Sequence, residues 1–259
     1  MEIFNNMETS LRKKGYHIGT FEDLFTNEEI EFLKIMLNSI IQTFKNVDNV
    51  ECKTQHTGMN HRYPFYNFEE TYIHPYKDIP LVDEFMKENG VSIFQRWKQL
   101  SGRAILGKRK ELSELLDKVK FNIVEKCYSE FGLKKEDVDL GGQGTIAMYE
   151  KGDKQPAHYD AGSKKTIFGI IFYLTPEEDW DETKGGEFLI NHTDEKLAPI
   201  FGNYIILDFV DNSISHQVLE LLKDYRRYTI ISFPSIKENG SEGCSKFLAY
   251  KETNKVFIT

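Results

Sequence analysis

The sequence has few cysteines, no long apolar run and no secretory leader. Its three cysteines, Cys52, Cys127 and Cys244, are widely spaced and form no C-x-x-C pair, which excludes a disulfide framework and a zinc knuckle. No apolar stretch approaches the roughly 20 residues needed to span a bilayer, and the N-terminus lacks the charged and apolar regions of a signal peptide. We therefore expect a cytoplasmic protein with reduced thiols and no membrane partner.

An excess of positive charge is also missing. The chain carries 33 lysines and arginines against 41 aspartates and glutamates, which gives a net charge of −8. The basic residues fall in short groups such as Lys108, Arg109 and Lys110, and no long basic stripe could follow a phosphate backbone. We therefore expect no nucleic-acid partner, and the composition leaves the oligomeric state open.

What the sequence does contain is typical of a folded domain with an aromatic interior. Hydrophobic residues make up 40% of the chain and aromatic residues 13%. A length of 259 residues fits one domain with a substantial core. We divide this domain into a mainly helical N-terminal region (residues 1–140), a β-rich core (141–235) and a C-terminal extension (236–259).

Helical patterns dominate the first of these regions. The stretch IEFLKIMLNSIIQTF has apolar residues at helical spacing and follows a capping box formed by Thr26 and Glu29, which predicts a helix over residues 27–45. Residues 81–131 also have a helical pattern, and Gly132 stands where a C-terminal cap would.

Residues 46–80 lie between these helical stretches and have no steady periodicity. Their mixture of aromatic, histidine and proline residues predicts an irregular segment that covers a site. Each polar or aromatic side chain there could serve in packing or in a substrate pocket or lid. The residues in question are His56, His61, Arg62, Tyr63, Tyr66 and His74.

The composition changes at residues 141–144, Gly-Gly-Gln-Gly. Beyond this point come short β-rich runs separated by turn residues: TIAMY, KKTIFGIIFYL, GGEFLI, NYIILDF and RRYTIISF. Runs of this length and spacing suit an antiparallel barrel or sandwich. We therefore predict an α+β fold in which the N-terminal helices pack on an antiparallel β-core.

A candidate metal site lies in the stretch QPAHYDAGS. In a strand, residues two apart point to the same side, so His158 and Asp160 would project together. Two histidines and one carboxylate can hold Fe(II) on one face and leave positions open for a co-substrate and O2. His216 is the third ligand that we favour, because it follows a strand, whereas His192 lies among turn-forming residues.

The order of motifs from Tyr149 to Phe233 resembles the Fe(II)/2-oxoglutarate-dependent oxygenases, in particular the prolyl 4-hydroxylase-like branch. Each motif is weak by itself, and their order and spacing carry the resemblance. They are Tyr149-x-x-Gly152, His158-x-Asp160, Phe172-Tyr173-Leu174, Asp179-Trp180, Gly185-Gly186-Glu187-Phe188, Pro199-x-x-Gly202, His216-x-Val218 and Arg227-Tyr228-Thr229.

The resemblance implies a double-stranded β-helix (jelly-roll) core, with His158, Asp160 and His216 as metal ligands and catalytic residues. It also implies that Arg227 binds the far carboxylate of 2-oxoglutarate, since a guanidinium can pair with a carboxylate through two hydrogen bonds. Arg226 competes for this role, but the Arg-x-Thr pattern favours Arg227. The other residues implied to bind the co-substrate are Thr229, Tyr173 and Tyr149.

The implied reaction uses Fe(II), 2-oxoglutarate and O2, with ascorbate as reductant. It releases succinate and CO2 and hydroxylates an unactivated C–H bond of an amino acid, free or within a peptide. The carboxylate of Asp160 favours hydroxylation over halogenation, because related halogenases have a small residue at that position. Three alternatives stay open: a natural-product tailoring oxygenase of the same fold, a non-catalytic cupin-like metal-binding protein, and a helical interaction protein with a β-scaffold.

Overall fold

The computed structural model describes residues 2–48, 53–56, 64–68, 71–73, 98–100, 109–142, 144–160, 165–237 and 240–258. Its α-helices are α1 (Glu2–Lys14), α2 (Asn27–Asp48), α3 (Arg109–Cys127) and α4 (Glu242–Asn254). Within these residues, no helix is both long enough and apolar enough to cross a membrane.

Short strands make up most of the remaining regular structure. The strands are β1 (Tyr16–Thr20), β2 (Lys53–His56), β3 (Pro64–Phe68), β4 (Thr71–Ile73), β5 (Lys98–Leu100), β6 (Val138–Asp139), β7 (Thr145–Tyr149), β8 (Gln155–His158), β9 (Phe168–Tyr173), β10 (Phe188–Ile190), β11 (Glu195–Leu197), β12 (Asn203–Asp208), β13 (Asn212–Ile214), β14 (His216–Val218), β15 (Arg227–Ser232), β16 (Ser235–Ile236) and β17 (Val256–Ile258).

Two antiparallel sheets form the centre of the molecule. One has six strands in the order β1-β12-β9-β15-β7-β5, and the other has four in the order β11-β10-β14-β8. Side chains alternate across the larger sheet, as they must in a pleated strand. On β7, Ile146 and Met148 pack with the helices, while Ala147 and Tyr149 pack toward residues of the smaller sheet. The larger sheet is therefore covered by helices on one face and by the smaller sheet on the other.

This arrangement confirms the predicted α+β fold with a jelly-roll core and helices packed on it. The helix predicted over residues 27–45 is α2, which extends to Asp48. Its capping box forms as expected, because the Glu29 N–H donates to Thr26 Oγ1 at 3.3 Å and the Thr26 N–H donates to Glu29 Oε2 at 2.9 Å. Two reciprocal bonds thus satisfy N–H groups at the start of the helix.

Parts of the N-terminal region differ from the prediction. The helical pattern of residues 81–131 was wrong for Lys98–Leu100, which form edge strand β5 and pair with β7. The long helix α3 ends at Cys127, and Gly132, with φ of 61°, instead caps the 3₁₀ turn Ser129–Phe131. A three-residue edge strand is too short to show the alternation of apolar and polar residues that is typical of strands. Its pairing with a neighbouring strand therefore decides its conformation.

The segment predicted to be irregular, residues 46–80, contains the three-stranded antiparallel sheet β2-β3-β4. His61, Arg62, Tyr63 and His74 lie outside the described residues, so their proposed part in a pocket or lid stays a prediction. The boundaries at residues 140 and 235 also stay predictions.

Candidate metal centre

The three predicted ligands come together at the free edge of the smaller sheet. Strand β8 pairs with β14 so that His158 lies opposite His216, and their ring centroids are 4.3 Å apart. Asp160 lies just beyond the end of β8, with Oδ1 3.4 Å from His158 Nε2 and Oδ2 3.5 Å from His216 Nε2. One ligand atom from each residue lies within 4.8 Å of the others, so the three can hold one ion.

Neighbouring groups fix the orientation of His216. Its Nδ1 lies 3.2 Å from the carbonyl oxygen of Ile214, which is the contact of an Nδ1–H donor. A proton held on Nδ1 leaves the Nε2 lone pair for a metal. The ring is 3% exposed and stacks on Phe188 at a centroid distance of 4.9 Å. His216 is therefore held ready to bind on the side that faces Asp160.

The charge of Asp160 is favoured by the same two histidines. Burial by itself would raise the pKa of this carboxyl group, but the two imidazoles beside it, His158 and His216, hold the pKa well below its usual range. The carboxylate is therefore ionised at neutral pH, as a metal ligand must be.

A second polar cluster lies on the larger sheet, centred on Arg227. This side chain is 2% exposed, and its guanidinium carbon lies 4.9 Å from the ring centroid of Tyr149 and 5.2 Å from that of Tyr173. Thr229 follows on the same face of β15, opposite Tyr173 in the neighbouring strand. The structure therefore brings all four predicted co-substrate residues into one group.

Several polar atoms of this group are buried without a hydrogen-bond partner among the described residues. They are Arg227 Nε, Tyr173 Oη and Thr229 Oγ1. Burial also raises the pKa of Tyr149 to about 12 and that of Tyr173 further, although the positive charge of Arg227 opposes both shifts. The two phenols therefore stay protonated and can donate. A cation and hydroxyl donors at a water-poor site fit an anionic ligand, because unsatisfied buried polar groups are costly.

Gln155 connects the two clusters, and the sequence interpretation missed it. Its amide nitrogen lies 2.9 Å from His158 Nε2, and its carbonyl oxygen accepts a hydrogen bond of 3.4 Å from the Tyr149 hydroxyl. Residues three apart in a regular strand face opposite sides. Here the register of β8 against β14 shifts, so that Gln155 pairs with Val218 and His158 pairs with His216. Val218 and His216 are two apart in β14, so their partners in β8 face the same side. A proline at position 156 was the available signal, since proline within a strand often marks a bulge.

Two residues near the site have other contacts. Arg226, the competitor of Arg227, pairs with Glu150 at 3.1 Å. His192 lies in a turn, packs edge-on against Tyr16 and is not part of the cluster of His158, Asp160 and His216.

The turn at Gly185 and Gly186 takes the left-handed conformation expected of glycine, with φ of 73° and 83°. A Cβ at Gly186 would lie 2.1 Å from the Tyr225 hydroxyl oxygen, so this contact also requires glycine. The carbonyl of Gly185 accepts hydrogen bonds from Tyr225 Oη at 2.6 Å and from Trp180 Nε1 at 2.9 Å. The turn leads directly into β10, which carries the Phe188 ring that stacks on His216.

Residues 144–234 match the family model described as the 2OG-Fe(II) oxygenase superfamily. These residues belong to that superfamily. The resemblance of these residues to the Fe(II)/2-oxoglutarate-dependent oxygenases is confirmed, and with it the prediction of a dioxygenase enzyme. The matched range includes the His158, Asp160 and His216 cluster and all four residues around Arg227. For this oxygenase region, the family implies Fe(II), 2-oxoglutarate and O2, while ascorbate stays a prediction.

Solved structures of low sequence identity share the fold of this chain. A prolyl-4-hydroxylase from Pseudomonas putida aligns with a TM-score of 0.55 at 12% identity, over 90% of this chain and 99% of that one. A prolyl hydroxylase from Trichoplax adhaerens, solved in complex with a hypoxia inducible factor peptide fragment, gives 0.51 at 14% identity, over 96% and 92% of the two chains. A search of curated proteins gave no match.

The site fits the groups that the family implies. Two imidazoles and one carboxylate are the donor set of a facial triad for non-haem Fe(II). The buried guanidinium nitrogen and the two hydroxyl groups without partners provide donors suited to a carboxylate of 2-oxoglutarate.

Proposed function

We propose that this chain is an Fe(II)- and 2-oxoglutarate-dependent hydroxylase that acts on a C–H bond of an amino acid, free or within a peptide. The observation that carries this proposal is the pairing of two sites within one β-core. One is the cluster of His158, Asp160 and His216. The other is the buried cation Arg227 beside the hydroxyl groups of Tyr173 and Thr229, which have no hydrogen-bond partner among the described residues. A metal site without turnover has no need of the second.

Each side chain has a definite part in the proposed reaction. The metal, when bound, supplies the oxidising chemistry in which 2-oxoglutarate is converted to succinate and CO2. His158, Asp160 and His216 would hold it through two imidazoles and one carboxylate. Arg227 binds the far carboxylate of the co-substrate, and Tyr173 and Thr229 donate hydrogen bonds to the same group. Tyr149 covers the guanidinium and excludes water from it.

A peptide or amino-acid substrate is the form that we favour. The Trichoplax relative was solved with a peptide, and the fold of this chain covers 92% of it at 14% identity. The metal ligands also include a carboxylate, Asp160, which supports hydroxylation over halogenation. The alternative of a non-catalytic cupin-like protein does not explain why a cation, a phenol and a hydroxyl are buried together beside the metal ligands.

The test measures succinate formation by the purified protein with Fe(II), 2-oxoglutarate and ascorbate. We expect slow turnover even without the prime substrate, and complete loss in His158→Ala and Asp160→Ala. His192→Ala is the matched control, because this histidine lies in a turn outside the ligand cluster. A screen of amino acids and peptides for a mass gain of one oxygen then identifies the substrate class.

The proposal fails if the wild-type protein forms no succinate with any candidate substrate and if iron binding is equal in the wild type and the two ligand variants. Loss of activity in His192→Ala to the same degree would also contradict the assignment of the ligands.

A further inference from the structure

We propose that Gln155 is a positioning residue that couples the co-substrate cluster to the metal ligands, and that its amide group donates a hydrogen bond to the carboxylate of the metal-bound co-substrate. This inference rests on the proposed function, since it assigns a further residue to the same site.

The first step is the position of the side chain. Gln155 is partly buried and lies between the two clusters described above. Its carbonyl oxygen accepts from the phenol of Tyr149, whose ring covers the Arg227 guanidinium. Its amide nitrogen lies against His158 Nε2 at 2.9 Å.

The second step concerns the acceptor of the amide. His158 Nε2 is the nitrogen that faces Asp160, at 3.4 Å, and is therefore the one available to a metal. A nitrogen lone pair cannot serve a metal and accept an amide N–H at the same time. Metal binding would therefore release the partly buried Gln155 NH2 group beside the coordination site, where this donor needs a new acceptor. A carboxylate oxygen of a ligand on the open face of the metal meets that need.

The third step is the direction in which the Gln155 side chain points. The bulged register of β8 against β14 places Gln155 and His158 opposite Val218 and His216, which lie two apart in their own strand. The side chain of Gln155 is consequently turned to the ligand side by the backbone itself. Because its carbonyl is occupied by Tyr149, the amide can face only the other way, toward the metal ligands.

The experiment compares Gln155→Leu with the wild type and with Gln217→Leu. Leucine is close in size to glutamine but has no donor or acceptor. Gln217 is the matched control, since it follows His216 in β14 while its amide donates to Asn191 at 2.9 Å, away from the cluster. Binding is measured anaerobically by calorimetry, first for Co(II) and then for 2-oxoglutarate to the Co(II)-loaded protein.

We expect Gln155→Leu to bind Co(II) at least as tightly as the wild type, because a competitor for the His158 lone pair is gone. We expect its Kd for 2-oxoglutarate to rise about tenfold, the effect of one lost hydrogen bond to a charged group. Gln155→Asn, which keeps the amide but shortens the side chain, should bind 2-oxoglutarate as weakly as the leucine variant does. Gln217→Leu should leave both affinities unchanged.

The outcomes separate this inference from the proposed function. If wild-type protein binds 2-oxoglutarate and Gln155→Leu binds it equally well, the role of Gln155 is overturned while the proposed function stands. An equal loss in Gln217→Leu would also overturn it. If Co(II)-loaded wild-type protein does not bind 2-oxoglutarate, both fail together. Should the leucine variant not fold, as judged by circular dichroism, the asparagine variant decides the question.

Discussion

Arg227 is a permanently charged side chain that is 2% exposed. Burial of such a charge is costly unless a counter-ion or hydrogen bonds offset it. The rings of Tyr149 and Tyr173 supply part of the compensation through cation–π contacts, each worth about 0.5–2 kcal/mol. The unpartnered Nε shows that this compensation is incomplete among the described residues. A dianionic co-substrate would complete it. Burial of Arg227 therefore lowers the stability of the empty site but strengthens binding of the co-substrate.

A conservative change at Arg227 should therefore distinguish the contribution of side-chain shape to co-substrate binding from that of charge. Arg227→Lys keeps the charge but loses the planar fork that pairs with a carboxylate. We expect the Kd for 2-oxoglutarate to rise roughly 10- to 150-fold, which corresponds to the loss of about 1.5–3 kcal/mol for a hydrogen bond to a charged group. The readout is the visible charge-transfer band that forms when anaerobic Fe(II) protein is titrated with 2-oxoglutarate. Metal affinity should not change.

Arg226→Lys serves as the control for that titration, because Arg226 pairs with Glu150. A Kd for Arg227→Lys equal to that of the control would show that another group binds the far carboxylate.

The residues of the site differ in how far the sequence could predict them. The grouping of His158, Asp160 and His216 could be predicted because their chemistry and order are distinctive, and the structure brings the three side chains together; their role as metal ligands stays a prediction. Gln155 could not be predicted, because strand periodicity places it on the opposite face from His158. Only the register shift between β8 and β14 turns it inward, and that shift depends on a partner strand about sixty residues later in the chain.

Among the elements of the fold, strand β17 has a direct connection to the ligands. It pairs in parallel with β13, whose residue Ile214 provides the carbonyl that accepts from His216. The carbonyl of Ile258 in β17 accepts a hydrogen bond of 3.2 Å from Tyr159, which stands between His158 and Asp160. One short strand therefore supports both chain segments that carry ligands.

Breaking the attachment of this strand should weaken metal binding. The N–H of Val256 donates to the carbonyl of Asp211 at 2.7 Å, and Val256→Pro removes this donor. We expect the affinity for Co(II), followed by its visible absorption, to fall roughly tenfold, as for other changes to groups that orient metal ligands. Val256→Ala shortens the same exposed side chain but keeps the N–H, so it should bind as the wild type does. Equal affinities in the two variants would mean that β17 has no part in orienting the ligands.

The elements that the sequence interpretation missed were those that pair with distant partners. The strand β1 precedes the predicted helix α2, yet it pairs with β12 over Tyr16–Thr20 and forms an edge of the larger sheet. The strand β5 likewise joins the other edge through β7. In contrast, α2 was predicted well because its capping box and its periodicity are local. Short edge strands have no such local signal, so they follow only from the assembled sheet.

At the scale of the whole molecule, the site joins the two sheets. The proposed metal ligands lie on β14 and on β8 with the residues just after it, in the smaller sheet, whereas Arg227, Thr229 and Tyr173 lie on the larger one. The layer between the sheets is an apolar cluster that includes Phe188, Ile190 and Val218. Groups from both sheets must keep their relative positions for metal and co-substrate to bind together, and this packed layer fixes them.

Metal binding should for this reason stabilise the folded molecule as a whole. The three ligands converge only when β8 and β14 are paired, so the unfolded chain has no comparable site. A metal present at 100 times its Kd should add about 2.7 kcal/mol to the free energy of unfolding, which corresponds to a rise in Tm of roughly 5–10 °C. The measurement is calorimetric unfolding with increasing Co(II). His216→Ala should unfold at a lower temperature and show no rise with metal, whereas His192→Ala should show the full rise. A metal-dependent rise of equal size in His216→Ala would mean that the stabilising ion binds elsewhere on the chain.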